Sequence, residues 1–378
     1  MYKKKIKLLF LIFDLGGGGA EKVLVNLVNN LNAERYDITI RTLFGEGVNA
    51  NKLKSNIEYL PFFKRKPFRG FTKILRLIPS SFLYKLFVKG KYDYEIAFLQ
   101  HQPTRIIGGN RDKTTNKFAW VHIVSDSSRH LLNSYKNEKE FNSIYNSYNK
   151  IAFVSKEALE SFERYYDIQT PKEVVHNVNE YHCLDALADE PIEIKINPDK
   201  INLIAIGRLT NQKRFDRLID SLKSVDNKGL ENYNLYILGE GEDKEKLQKQ
   251  IDDNGSREKI KLLGFQKNPY KYLSKMDLFV CSSNKEGYST AATEAIYLGI
   301  PVLTTDCGGM HDIIGDSKAG LIVENSQKGL EEGLEKLLTN PNLIKEMKLA
   351  AKERAKDFST ERAIREFEEF IGTADRIH

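Results

Sequence analysis

Residues 8–13 are all apolar and are followed by Asp14, Leu15 and four glycines, after which Val23, Leu24, Leu27, Val28 and Leu31 recur at helical spacing. A short apolar run, a glycine loop and a 3.6-residue stripe predict a buried strand, a tight turn and an amphipathic helix. The alternation continues. Further strands are expected at 37–42, 94–99, 117–121 and 150–154, with helix-length stretches between them, the signature of a parallel α/β sheet. This series ends near 174–177. The stretch 183–200, rich in acids and holding Pro191 and Pro198, has no clear period and reads as a linker. From Asn202 a second alternation starts, with strands near 203–206, 234–238, 259–263, 277–281, 301–304 and 320–323. The last helices are expected over 342–356 and 359–371, with Ser359 as a suitable N-cap. Two successive parallel sheets predict two Rossmann-like α/β domains, at 1–182 and 201–356. A linker at 183–200 joins them, and a terminal helix within 357–378 crosses back to the first. Ligands are expected where the carboxyl ends of the strands face a shared cleft.

Composition changes this picture little. The chain has 378 residues, too many for one ordinary core, with 41% hydrophobic and 29% charged residues, enough apolar surface for two cores and no long disordered tract. Three cysteines, Cys183, Cys281 and Cys307, give neither a disulfide framework nor the spacing of a zinc site, which fits a reducing cytoplasm. Lys3, Lys4 and Lys5 before the first apolar run imitate a signal peptide, but Asp14 and four glycines stand where a cleavage site should be, so a buried strand accounts for it better. No run approaches the roughly 18 apolar residues that span a bilayer, so any membrane association is expected to be peripheral.

The distribution of charge matters more than the net +6. Between Glu58 and Asp93 lie nine basic residues and no acidic one: Lys64, Arg65, Lys66, Arg69, Lys73, Arg76, Lys85, Lys89 and Lys91. Phenylalanines, leucines and isoleucines interleave with them. Basic plus apolar suits an anionic membrane surface, and Lys64, Arg65, Lys66, Arg69, Lys73 and Arg76 are the candidate contacts for membrane or acceptor. The bland reading is a solvated helix face packed on the domain. Nucleic acid fits less well, because no RNA- or DNA-binding motif accompanies the patch.

Three loops carry candidate chemistry. Gly16 to Gly19 sit between a strand and a helix, where backbone amides and the positive helix end approach a phosphate or sugar hydroxyl closely. Neither register of GxGxxG fits, since Glu21 or Lys22 takes the third glycine, and the phosphate loop of P-loop NTPases is absent. Gly207-Arg208-Leu209-Thr210-Asn211-Gln212-Lys213 follows the first strand of the second domain and places two cations at the sheet's carboxyl edge, where a diphosphate's charge can be held. No Asp-x-Asp pair suited to a divalent ion is present; Asp93-Tyr94-Glu95 comes nearest and reads as a strand start. Finally, the stretch from Glu286 to Glu294 combines Gly287, which permits a tight turn, with Ser289 or Thr290 as a helix cap and a carboxylate at either end.

Taken together, Gly17-Gly18-Gly19-Ala20-Glu21, Gly207-Arg208-Leu209 with Lys213, and Glu286 to Glu294 resemble the retaining glycosyltransferases of the GT-B fold, specifically glycosyltransferase family 4. The likeness spans nearly the whole chain in the right order. It implies that Arg208 and Lys213 neutralise a departing diphosphate, Glu294 binds ribose hydroxyls, and Glu286 contacts the donor sugar beside the amides of Gly287, Tyr288 and Ser289. Gly17 and Gly18 join the donor site. Gly239-Glu240-Gly241 resembles the family's phosphate-side loop, Leu263-Gly264-Phe265 its base-binding loop, and His122 the first-domain histidine near the transferred sugar. Two departures stand out: Arg214 occupies a position that is glycine in many relatives, and Asn177-Val178-Asn179-Glu180 only partly matches their hinge motif.

The resemblance implies transfer of a hexose or N-acetylhexosamine from a nucleotide diphosphate sugar, UDP-linked by preference, to a lipid- or protein-linked glycan, without cofactor or metal. The enzyme is expected in the cytoplasm on the inner membrane face, as a monomer or as a homo- or hetero-oligomer. The competing readings are an NAD enzyme, a sugar-nucleotide epimerase, a non-catalytic partner subunit of the same fold and a nucleic-acid binder. The first fails on the glycine pattern, and the third should have lost Arg208, Lys213, Glu286 and Glu294, all of which are present.

Overall fold

The computed structural model describes residues 4–45, 47–65, 68 and 70–374. They divide into two compact units. One runs to Asn179 and resumes at Thr360, and the other is Glu180–Ser359.

The first unit holds seven strands: β1 (Ile6–Ile12), β2 (Tyr36–Phe44), β3 (Glu58–Phe63), β4 (Tyr94–Ala97), β5 (Asn116–Val121), β6 (Lys150–Phe153) and β7 (Lys172–Val174). All pair in parallel, in the order β3-β2-β1-β4-β5-β6-β7. Helices cover both faces of such a sheet, which is why the central strand β1 reads as an unbroken apolar run rather than an alternation. Two strands were not expected. β3 lies at the start of the basic and aromatic segment and contains Pro61, which has no amide to donate, and it is an edge strand, where proline is tolerated. β7 is only three residues long, too short to leave a period.

The second unit has six strands, β8 (Ile201–Ile206), β9 (Tyr233–Leu238), β10 (Ile260–Gly264), β11 (Leu278–Cys281), β12 (Val302–Thr305) and β13 (Gly320–Val323), again all parallel, in the order β10-β9-β8-β11-β12-β13. Both sheets reverse strand order beside their first strand, between β1 and β4 and between β8 and β11, leaving a crevice at the carboxyl ends of those pairs.

Residues 183–200 do not form a bare linker. They contain the helix Leu184–Ala188, and Ile192, Ile194 and Ile196 pack against the core of the second unit, an alternation hidden by the acids between them. The terminal helix Thr360–Phe370 belongs to the first unit. Its Phe367 stacks on Phe10 and Trp120, both with ring centroids 6.0 Å away, and Phe370 meets Phe118 at 5.2 Å. Burying two such rings contributes roughly 1.5–3 kcal/mol each. Polar contacts fix the helix register: Glu366 accepts from His176 Nδ1 at 3.0 Å, and Glu368 accepts from Tyr36 Oη at 2.7 Å and Arg35 at 3.0 Å.

Candidate functional site

In the second unit, β8 and β11 are neighbours across the switch point, and the loops leaving their carboxyl ends are joined by side chains of both. Asn284 N donates to Gln212 O at 2.9 Å, Gln212 Nε2 to Lys285 O at 3.0 Å, and Ser282 Oγ to Lys213 O at 2.8 Å. These bonds carry Lys213 to Glu286. Its Nζ lies 2.6 Å from Glu286 Oε1, which also accepts from Ser283 Oγ at 2.6 Å. Glu286 is 9% exposed. Burial works against the charge on Lys213, but the Glu286 carboxylate outweighs it and raises the lysine's pKa above the ordinary value, so the ammonium stays charged at neutral pH.

Arg208 is exposed and has no ion pair among the described residues. One cation of the predicted pair is thus held by a carboxylate and the other is open, an arrangement that can receive an anion without first breaking a salt bridge at Arg208.

Glycines bring the neighbouring β9 loop close. A Cβ on Gly239, whose φ is +147°, would stand 1.8 Å from Gly207 O, and one on Gly241 would stand 2.2 Å from Leu209 O. Gly207 N and Leu209 N in turn donate to Leu238 O and Glu240 O at 3.0 and 2.9 Å. Only glycine permits this backbone-on-backbone contact. At the end of β10, Phe265 is 69% exposed, and the Glu240 side chain of the neighbouring loop comes close to the residue before it, since a Cβ on Gly264 would stand 3.0 Å from Glu240 Oε1.

On the other side, Ser289 caps the helix Thr290–Tyr297, its side chain accepting from Ala292 N. Glu294, inside that helix and buried, accepts from Tyr270 Oη at 3.1 Å. Gly287 and Tyr288 lie against Gly309, where a Cβ would approach Gly287 O to 2.6 Å.

Residues 188–354 match the family described as Glycosyl transferases group 1. The second unit carries a glycosyl transferases group 1 domain. Over nearly its full length the chain is 28% identical to a Campylobacter jejuni N-acetylgalactosamine-N,N'-diacetylbacillosaminyl-diphospho-undecaprenol 4-alpha-N-acetylgalactosaminyltransferase (361 residues, 93% of this chain and 95% of that protein). It is 26% identical over 366 residues to a second alpha-1,4-N-acetyl-D-galactosaminyltransferase of that organism acting on a diNAcBac-PP-undecaprenol glycan, covering 93% and 94% of the two chains. Among solved structures, Anabaena Alr3699/HepE in complex with UDP and glucose matches with a TM-score of 0.75 at 16% identity, covering 97% of this chain and all of that one. The fold is GT-B.

Several residues of the group 1 domain that position the site were not singled out from sequence. Arg217, buried, donates to Ser282 O at 2.6 Å and to Asn325 Oδ1 at 2.9 Å, while Asn325 Nδ2 reaches Asn284 O and Asp306 O, both at 2.9 Å. Thr305 Oγ1 donates to Ser283 O at 2.7 Å. No local motif marks them, because their role is to satisfy carbonyls of a loop distant in sequence.

Arg214 takes a backbone conformation that glycine adopts more readily. It caps the helix Phe215–Asp226 with φ +49° and ψ +43°, the left-handed region, and its Nε pairs with Asp216 at 3.0 Å. Arg214→Gly removes a left-handed penalty of about 1 kcal/mol and a half-buried ion pair of roughly equal or smaller value. An unchanged or higher melting temperature is expected; a loss above about 2 kcal/mol in a denaturant titration would give the guanidinium a larger role.

In the first unit, Gly16 to Gly19 leave the carboxyl end of β1 as predicted. Gly16 N donates to Asp14 Oδ1 at 2.8 Å, Asn49 Nδ2 to Gly16 O, and the Glu21 carboxylate folds back beside Gly18, where a Cβ would meet it at 2.2 Å. Gly17 is exposed, and a Cβ there would meet Val48 Cγ2 at 3.9 Å, an ordinary contact. His122 follows β5; its amide donates to Gln100 Oε1 at 3.1 Å and its Nε2 is enclosed with no partner among the described residues. His101, missed from sequence, takes φ +73° and ψ −121° at the end of β4, a strained conformation for a non-glycine residue.

Burial pushes the His122 imidazole down to about 3 and that of His101 down to about 4, with His130 adding to the second shift. Folded pKa values below the ordinary 6.5 mean that the unfolded chain binds protons which the folded one refuses. Stability is therefore full above pH 6.5 and is lost as pH falls toward these values, by at most about 1.4 kcal/mol per pH unit per histidine. A melting temperature independent of pH between 6.5 and 4.5 in a scan, for wild type and His122→Asn alike, would show that these rings do not resist protonation.

The basic segment is exposed at Lys64, Arg65, Lys73 and Arg76; Lys66 and Arg69 lie outside the described residues. Phe62, Phe68, Ile74, Leu77, Phe82 and Leu86 are exposed beside those cations, whereas Leu75, Leu83 and Phe87 are buried. One apolar set thus packs on the unit and another faces outward. No helix among the described residues is long and apolar enough to cross a membrane.

Proposed function

We propose that the chain is a retaining glycosyltransferase of family 4 that moves a hexose or N-acetylhexosamine from a UDP-sugar to a lipid-linked glycan. The observation that carries this reading is the Lys213–Glu286–Ser283 arrangement beside the open Arg208, at the β8/β11 switch point of a group 1 domain. Two cations at a strand end suit a leaving diphosphate, and the flanking carboxylates Glu286 and Glu294 suit sugar and ribose hydroxyls. The acceptor class is supported by the Campylobacter relatives, whose names specify undecaprenol-linked substrates, and the UDP donor by the Anabaena complex.

In this reading the acceptor attacks the anomeric carbon on the face the diphosphate leaves, and the leaving phosphate takes the acceptor's proton. Arg208 and Lys213 offset the charge that develops on the phosphate oxygens, so neither a metal nor a carboxylate nucleophile is required. The second unit binds the donor. The first receives the acceptor, Gly17 and His122 are assigned to the donor sugar, and the exposed cations and apolar side chains at 62–86 hold the enzyme to the inner face of the cytoplasmic membrane.

A thermal-shift screen of nucleotide diphosphate sugars with chelator present tests donor and metal together. A bound donor at about 100 times its Kd adds about 2.7 kcal/mol of stability, so one UDP-sugar is expected to raise the melting temperature while NAD leaves it unchanged. No response to any sugar nucleotide, or one abolished by chelator, contradicts the reading.

A further inference from the structure

A second polar cavity lies in the first unit at the opposite, amino-terminal edge of its sheet. Its volume is about 580 Å³, and it is lined by the start of the helix Ser80–Phe87, the loop 108–113 and Lys117 at the start of β5. Lys117 is 7% exposed. Its ammonium donates to Asn110 O at 3.1 Å and Ser147 Oγ at 3.4 Å and lies 6.0 Å from the centroid of the Tyr148 ring, and its third N–H has no oxygen acceptor among the described residues. Behind it the buried Glu95 is occupied: Tyr84 Oη donates to it at 2.7 Å and Asn110 Nδ2 at 3.0 Å.

The rest of the wall is built for the same sign of charge. Arg111 and Lys113 line the cavity with no ion pair among the described residues. Asp112, the one acid of the lining, turns its carboxylate back onto the Thr114 amide at 2.9 Å and hydroxyl at 2.7 Å. Ser80 and Ser81 add two hydroxyls in a first helical turn that has no side-chain cap and no acid. The loop is held tightly against this helix start, since a Cβ on Gly109 would come within 2.2 Å of Ser80 O.

We propose that this cavity binds a phosphate monoester or inorganic phosphate. Three cations, two hydroxyls and a helix start converge on a space large enough for such a group, and the nearest acids are already satisfied. The site is separate from the donor chemistry proposed above and does not depend on it. Its helix also carries the exposed Phe82 and Leu86, so the phosphate can belong to a membrane headgroup or to a free solute.

Hydrogen exchange followed by mass spectrometry on the full chain tests the proposal locally, away from any phosphate bound in the second unit. Inorganic phosphate at about ten times its Kd, against chloride at equal ionic strength, is expected to slow exchange in peptides covering 80–84 and 108–118 by up to about tenfold, since only the free fraction exchanges. The effect is expected to vanish in Arg111→Ala/Lys113→Ala, whose exposed side chains carry no folding contacts; Lys117→Met is the second variant, read in parallel for folding. Phosphatidylcholine vesicles with and without phosphatidic acid then separate the sources. Slowing by the acidic vesicles assigns a headgroup, and slowing by phosphate alone assigns a free solute. No slowing with either ligand, or equal slowing in the double variant, overturns the site.

Discussion

Lys213→Ala is expected to lower kcat at saturating donor by about 10²–10³-fold, the scale that follows when a preorganised charge facing a developing anion is removed. The backbone at this position is fixed independently of the side chain: Lys213 N donates to Thr210 O at 3.0 Å, and Lys213 O accepts from Ser282 Oγ at 2.8 Å. Glu286 keeps its bond from Ser283, so the loop is expected to hold its shape while the ammonium is lost. Measuring kcat, KM and melting temperature on the same preparations separates the two effects. A kcat within about threefold of wild type removes Lys213 from the machinery, whereas a collapse of the melting temperature makes the Lys213–Glu286 pair a structural strut. Glu286→Gln is the companion variant. It keeps the shape and the Ser283 contact and removes the charge, so turnover should fall through donor positioning while Lys213 remains free to meet phosphate.

Arg105→Ala is expected to cost about 3–5 kcal/mol of stability, the penalty for breaking a buried charge pair on one side. Arg105 is 0% exposed. Its guanidinium donates to Leu75 O at 2.7 Å, to Ile78 O at 2.6 Å and to Glu140 Oε1 at 2.7 and 3.0 Å, so the substitution takes the donor from Ile78 O and Glu140 Oε1, while Leu75 O keeps Ile78 N at 3.2 Å and Glu140 Oε2 keeps Lys136 N at 2.7 Å. In a unit of this size each kcal/mol lowers the melting temperature by roughly 2–4 °C, which makes a fall of roughly 10 °C the expected calorimetric result. The same carbonyls bracket Arg76 and Leu77, whose side chains are exposed, so the arginine also sets the course of the basic and apolar segment. A change below about 1 kcal/mol means that water replaces the guanidinium and the segment is not pinned from within.

The two parallel sheets were legible because a strand covered on both faces must be apolar along its length, as at Leu8, Leu9, Phe10 and Leu11. The glycine loops and Ser289 were legible for a similarly local reason: a close backbone approach excludes a Cβ, and a helix start needs an oxygen to cap it. β3 escaped notice because an edge strand needs no apolar continuity and tolerates Pro61. Within the candidate site, Arg208, Lys213, Glu286 and Glu294 could be named from spacing. That Glu286 holds Lys213 while Arg208 stays open could not, since it depends on how the loops after β8 and β11 meet.

The sequence by itself determined the central strands and the helices between them, where glycine is obligatory and which cations and carboxylates are available, because each of these follows from the chemistry of a few neighbouring residues. The tertiary structure alone decided the pairing of Lys213 with Glu286, the service of Arg217 and Asn325 to the site's carbonyls, the enclosure of His101 and His122, and the gathering of Lys117, Arg111 and Lys113 around one cavity. Their partners are distant along the chain, and burial, hydrogen-bond geometry and charge compensation exist only once the sheet has brought those partners within a few ångströms.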